Sequence, residues 1–277
     1  MFREHELLDT PEDDTILWRY LDLSDFLNLL ARQTLYFANR REFIADPWEG
    51  AIPATTTEAA KRVDRYLSEL YTELRGTDVS KRKGSERVQD IERSIRSRQA
   101  TYGVNCWHKN EVESVAMWKL YTHGKDGVAI QTTVRLLKEC LSEERRPIYI
   151  ANVLYGDHET LPDLKERPDL EKLISLDVLL TLTTKRLSFA HETEVRLILD
   201  RHLDVRPAFS QILPAKEDSF GPPKGEALKV DLIKLIERIV ASPDYPSWAM
   251  DSLQDRVTFA KLPVKVEPSD LLRQPKV

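Results

Sequence analysis

Cysteine and glycine are both scarce in this chain. Among 277 residues only Cys106 and Cys140 carry thiols, with no close pair between them, so neither a disulfide framework nor a zinc ribbon is suggested; both are expected to be buried thiols. The nine glycines form no G-x-G-x-x-G after a strand and no Gly-Lys-Ser/Thr loop, which removes a Rossmann or P-loop nucleotide site. H-E-x-x-H and G-x-S-x-G are missing too, and with them the usual metalloprotease and serine hydrolase chemistries. No apolar run approaches the roughly 18 residues of a membrane helix, and Met1 to Glu6 is too acidic and polar for a signal peptide. A cytoplasmic protein with no membrane segment is therefore expected. Lys plus Arg at 41 against Asp plus Glu at 46 gives a net charge of -5, which argues against a chain built wholly to coat nucleic acid.

What is present is an ordinary globular balance, 41% apolar and 31% charged, enough for a core that folds on its own. Thr15 to Tyr20 reads as a strand, and Ser24 as the cap of a helix with Phe26, Leu27 and Leu30 on one side. Thr34 to Phe37 reads as a second strand. Asp46-Pro47-Trp48-Glu49-Gly50 is a constrained turn with two acids and an indole. From Thr55, which forms a capping-box pattern with Glu58, helical spacing predicts a hairpin insertion over 55–100. Its second arm, Lys81 to Arg98, carries seven basic and three acidic side chains. That surplus of four could contact a phosphate backbone, or be a solvated face of mixed charge.

Strands are expected at Thr101 to Trp107, Gly127 to Thr133, Ile148 to Tyr155 and Ile239 to Ala241. Helices are expected at Val112 to Tyr121, through Val134, Leu137 and Leu141, after Pro168 to about Thr183, up to Glu237, and from Pro246; Val257 to Val266 is expected to return to the sheet. Strands and helices do not alternate regularly. The expected class is one α+β domain over 1–277, with a central mixed or antiparallel sheet, flanking helices and the helical insertion.

The most informative stretch runs from Thr184 to Leu199. Taken as one extended segment, its period of two puts Glu192, Glu194 and Arg196 on one wall and Thr193, Val195, Leu197 and Leu199 on the other. Two carboxylates held that close push their pKa values apart and can supply an acid and a base; the plain alternative is a wet strand face. Arg19 is the second pointer, because a charge between Leu17 and Leu21 needs a partner or a ligand. Cys106 and His108 could share a strand face and meet His123 or Cys140 around zinc, although such spacing more often means core, and no metal site is assigned. Trp107, Met117, Trp118 and Tyr121 are expected in the core.

The segment Cys106 to Tyr121, taken with Leu17 to Tyr20, Asp46 to Gly50, Gly127 to Ile130 and Phe189 to Arg196, resembles an uncharacterised bacterial family, domain of unknown function 2971. His108 stands where that family usually has Ser. The order of these motifs is also similar, more remotely, to ADP-ribosyltransferases. That resemblance implies an NAD-consuming transferase or glycohydrolase in bacterial defence or toxicity, with Glu194 as catalytic Glu, Glu192 as accessory acid and Arg19 gripping the cofactor. His108 would take the place of the middle Ser, with Tyr20 or Trp48 stacking on a ring and Arg196 in the same cofactor wall. Two other readings use the same side chains: a magnesium-dependent nuclease built on Asp46, Glu49, Glu111, Glu113, Glu192 and Glu194 with Lys185 nearby, and a non-catalytic binding module whose charges only pair with one another.

Overall fold

The computed structural model describes residues 2–5, 8–39, 42, 46, 49–50, 99–122, 126–156, 178–201 and 225–272. The Thr55 to Arg98 part of the insertion with its basic arm, Trp48, His123 and the stretch from Pro168 to 177 lie outside the described residues. The remainder is α+β: a mixed sheet with helices against it. β1 (Ile16–Leu21) leads into α1 (Leu23–Arg32), β2 (Thr34–Asn39) and β3 (Tyr102–Lys109). Next come α2 (Val115–Tyr121), β4 (Val128–Thr133), α3 (Val134–Cys140), β5 (Ile148–Asn152) and β6 (Leu154–Gly156). β7 (Thr184–Arg186) and β8 (Glu194–Asp200) precede β9 (Glu226–Lys229), α4 (Leu232–Leu235), β10 (Arg238–Ala241), α5 (Met250–Phe259) and β11 (Val266–Pro268).

Most sequence-derived elements are found, with shifted ends. Ser24 lies inside α1 rather than capping it; Asp22 is the cap residue, and the buried positions are Phe26, Leu29 and Leu30. Leu27 is turned outward, because the stripe follows the 3.6-residue period from Phe26 rather than including its neighbour. α2 starts only after Ser114, whose hydroxyl accepts from the Met117 amide, the usual role of Ser at a helix start. The single strand expected over Ile148 to Tyr155 is two, β5 and β6, which join different sheets. Val257 lies inside α5, so the return to the sheet begins only at Val266.

The main sheet of the described residues has nine strands. Seven run in the order β11-β10-β4-β1-β3-β2-β9, and β8 and then β5 extend from the other edge of β3. β10 and β11 are parallel and the other pairs antiparallel. β4 is buried at every position, as a central strand covered on both faces should be. β3 is the hub: β1 pairs with it at Lys109 and His108, while β2 pairs on the same edge at Val104 and Gly103. Gly103 permits the second crossing, since a Cβ there would stand 2.9 Å from Phe37 Cβ.

Register divides the side chains between two faces. Trp18 pairs with His108, and His108 with Glu194, so these three project to one side. The other side carries the largest apolar cluster, including Leu17, Phe26, Phe37, Trp107, Ile130, Leu137, Val195 and Leu197. The first side carries two smaller clusters, one around Trp18, Tyr20, Met117 and Trp118, the other around Tyr102, Val104, Leu179, Leu182 and Ile198. Cys106, His108, Glu194 and Arg196 lie at the register positions between them.

Candidate functional site

The stretch from Thr184 to Leu199 is not one strand. β7 ends at Arg186, Leu187 to Glu192 form a 3-10 turn, and β8 begins at Glu194. Between turn and strand, Thr193 adopts a left-handed conformation (φ 36°, ψ 55°), a costly position for a β-branched residue. The bend is braced: the Thr193 hydroxyl donates to the Lys109 carbonyl at 2.9 Å, and His108 Nδ1 donates to the Glu192 carbonyl at 2.6 Å. The shared wall expected from a period of two is therefore replaced by a fold-back. Glu192 reaches the same place as Glu194 because the turn returns it to Lys185.

Lys185 Nζ stands 2.5 Å from Glu192 Oε2 and 3.3 Å from Glu194 Oε2. Glu194 also accepts from Arg196 Nε at Oε1 and from Arg196 Nη2 at Oε2, both at 3.0 Å, and from the Cys106 thiol. Arg196 completes its set with the Leu182 carbonyl at 2.7 Å and a close contact to Glu49. Glu49 comes from the Asp-Pro-Trp-Glu-Gly turn, whose Asp46 forms a two-point pair with Arg186. That turn is thus tied to the β7 to β8 region by both of its acids. The Glu194 amide donates to the Tyr155 hydroxyl at 2.8 Å, and Phe189 lies 5.0 Å from Lys185 Nζ and 5.6 Å from the Arg186 guanidinium.

Electrostatics fix the state of Glu194. Burial pushes the Glu194 carboxyl up, but Arg196 and Lys185 pull it down harder and hold it at about 2. Glu194 is therefore an anion at every physiological pH and no general acid, with Lys185 shared between it and Glu192 and Arg196 paired to it from β8. Lys185 is raised despite burial by Glu194 and Glu49. Burial raises the Cys106 thiol, and Glu194 adds to it. Burial also raises the Tyr121 phenol, helped by Glu192 and Glu194. Tyr121 as a whole is 44% exposed, so the core position expected for this residue is not what the fold gives it.

Other sequence-derived candidates are placed less favourably. Tyr20 is buried edge-on to Trp118, and its hydroxyl accepts from the Ser114 amide. His108 is buried against Glu192 and Thr193, with Asn110 at its other nitrogen; burial lowers its pKa, and it acts as a brace for the bend. Cys106 and His108 do share a face, yet among the described residues no three His, Cys, Asp or Glu side chains are grouped to hold a metal ion. Glu113 is occupied by Trp118, Ser269 and the Asp270 amide, remote in role from the Lys185 cluster. Arg19 does not stand opposite Glu194. It follows Trp18 by one residue in a regular strand, so it projects from the other face, where its guanidinium lies 5.7 Å from the Trp107 ring. A short nucleotide contact bridging the two directly across one face is excluded by this register. Tyr155 and Phe189 were not legible as site residues, and no Gly or Pro announces the bend at Thr193.

Residues 117–197 match the family model described as Protein of unknown function (DUF2971). The matched stretch contains Lys185, Glu192, Glu194 and Arg196, and begins after Cys106 and His108. No curated protein and no solved structure matches the chain. The ADP-ribosyltransferase resemblance finds no support among these matches. No described helix is long and apolar enough to cross a membrane.

Proposed function

We propose that the Lys185 cluster handles a nucleotide, cleaving NAD between nicotinamide and ribose in the manner of an ADP-ribosyltransferase or NAD glycohydrolase, with Glu192 rather than Glu194 as the acting carboxylate. The observation that carries this reading is an asymmetry. Among the described residues, Glu194 accepts four side-chain hydrogen bonds, whereas Glu192 accepts one, from Lys185 at Oε2. Glu49, Glu192 and Glu194 against Lys185 and Arg196 make three negative charges to two positive, a surplus of one. Beside Phe189 and Tyr121, that surplus suits a cationic ring and the oxocarbenium character that develops at C1′ as the C–N bond breaks and its electron pair leaves with nicotinamide. Glu192 would accept a ribose hydroxyl hydrogen bond and stabilise that charge, and water or an acceptor nucleophile would close the bond at C1′. NAD is the implied cofactor, and bacterial defence the implied setting.

Purified protein should release nicotinamide from NAD, and Glu192→Gln should lower the rate at least about 100-fold while leaving the far-UV spectrum unchanged. Absence of nicotinamide release, together with no thermal shift from NAD or ADP-ribose, removes the reading. A second reading has its own observation: the full pairing of Glu194 and Arg196 is what a structural ion network requires. Under it, Glu192→Gln changes stability alone. The magnesium nuclease is less well served, since the carboxylates of the cluster already hold Lys185 or Arg196 where a cation would bind.

A further inference from the structure

β3 shares one edge between two strands, and the sharing leaves an opening. β1 occupies that edge at Lys109 and His108, and β2 at Val104 and Gly103, so Asn105, Cys106 and Trp107 face a fork where neither strand is paired. Lys109 donates its amide to Thr193 across β8; by alternation the Cys106 peptide is turned toward the fork. Arg19 projects from β1 beside Trp107, which lies at this fork. Its Nη1 is buried without a hydrogen-bond partner, and no carboxylate forms an ion pair with it among the described residues. Burial lowers its pKa, and Cys106 and then Asp25, in the first turn of α1, act on it only weakly against that burial. The neighbouring polar groups are already used: Trp107 Nε1 donates to Asn105 Oδ1 at 2.6 Å, and the Asn105 amide donates to the Tyr36 carbonyl at 2.8 Å.

A guanidinium held against an aromatic ring with an inward nitrogen unsatisfied is costly for a folded chain to keep. Arg19 as a whole is half-buried while its Nη1 is buried, so a bound oxyanion would be held away from bulk solvent. Its planar donor fork matches an oxyanion. We infer that the fork between β1 and β2 is an oxyanion site, taking a phosphate or carboxylate group on Arg19, on the face of the sheet opposite Glu192 and Glu194. It is independent of the proposed chemistry at the Lys185 cluster, and stands or fails separately from it.

The test is a stability crossing, read by thermal denaturation at constant ionic strength. In chloride alone, Arg19→Met should melt at or above the wild type, because it removes an unpaired buried cation. Inorganic phosphate, sulfate or acetate at 10 mM should raise the wild type by about 5 °C relative to chloride, as expected when ligand exceeds its Kd about a hundredfold. The same anions should leave Arg19→Met within about 1 °C of its chloride value, and Arg19→Lys should retain part of the shift. ADP in place of phosphate distinguishes a nucleotide-borne phosphate from a free one: a larger shift than phosphate points to the former, an equal or smaller one to the latter, and either supports the site. Equal responses of wild type and Arg19→Met to every anion, or no response in either, would overturn it.

Discussion

Arg196→Met should destabilise the fold by about 3–5 kcal/mol, because it removes a buried guanidinium paired with two buried carboxylates, Glu49 and Glu194, and leaves Glu194 with Lys185 in place of two cations. Arg196 is fully buried, and its guanidinium joins Glu194 on β8, Glu49 from the distant turn and the Leu182 carbonyl. Losing it therefore unties three segments at once. Urea unfolding should show a lower midpoint with little change in slope, and the melting temperature should fall by roughly 10 °C. The double replacement Arg196→Met with Glu194→Leu should cost clearly less than the sum of the single changes, since it removes charge and countercharge together. Strict additivity, or a single-mutant cost below about 1 kcal/mol, would show that the pairing does not hold the region together.

Acid should unfold the wild type along a slope that Glu194→Gln lacks. The Glu194 carboxyl moves from an ordinary 4.5 to about 2 on folding, a depression, so its contribution is complete above the unfolded value and is lost as pH falls from about 4.5 toward 2. The difference corresponds to roughly 3 kcal/mol. Lys185 shares that interaction, and its rise is the other side of the same contact rather than an addition. His108 adds a distinct slope. Its folded pKa lies below 6.5, so the neutral brace is fully stabilising above 6.5, and stability declines as pH falls below that value. Urea midpoints at closely spaced pH between 3 and 8 separate the two, with Glu194→Gln flattening the lower region and His108→Gln the upper. If Glu194→Gln leaves the slope below pH 4.5 intact, Glu194 is not the group held as an anion.

The elements that could be read in the chain are those whose signal is local. Alternation of apolar residues located β1, β3 and β8, and the periodicity from Phe26 located α1, because a strand or helix must bury one face whatever its neighbours do. The Asp46 to Gly50 turn was legible as a constrained loop with two acids, and both are engaged at the site. Arg19 was legible as a charge out of place in an apolar strand. By contrast, the bend at Thr193 carries no turn residue, and tertiary braces from His108 and Lys109 impose it. Tyr155 and Phe189 gain their roles only because β6, β7 and the 3-10 turn meet.

The amino-acid order thus determined the class of fold, most of the strands at the centre of its sheet and the stock of charged side chains from which any site must be made, since these follow from burial and backbone preference. Only the tertiary structure decided how those charges pair. Register set Glu194 and Arg19 on opposite faces, because the side-chain period of a strand is two and one residue's offset reverses direction. The fold-back at Thr193 gave Glu192 and Glu194 one common lysine, and Arg196 together with that lysine holds Glu194 as a fixed anion.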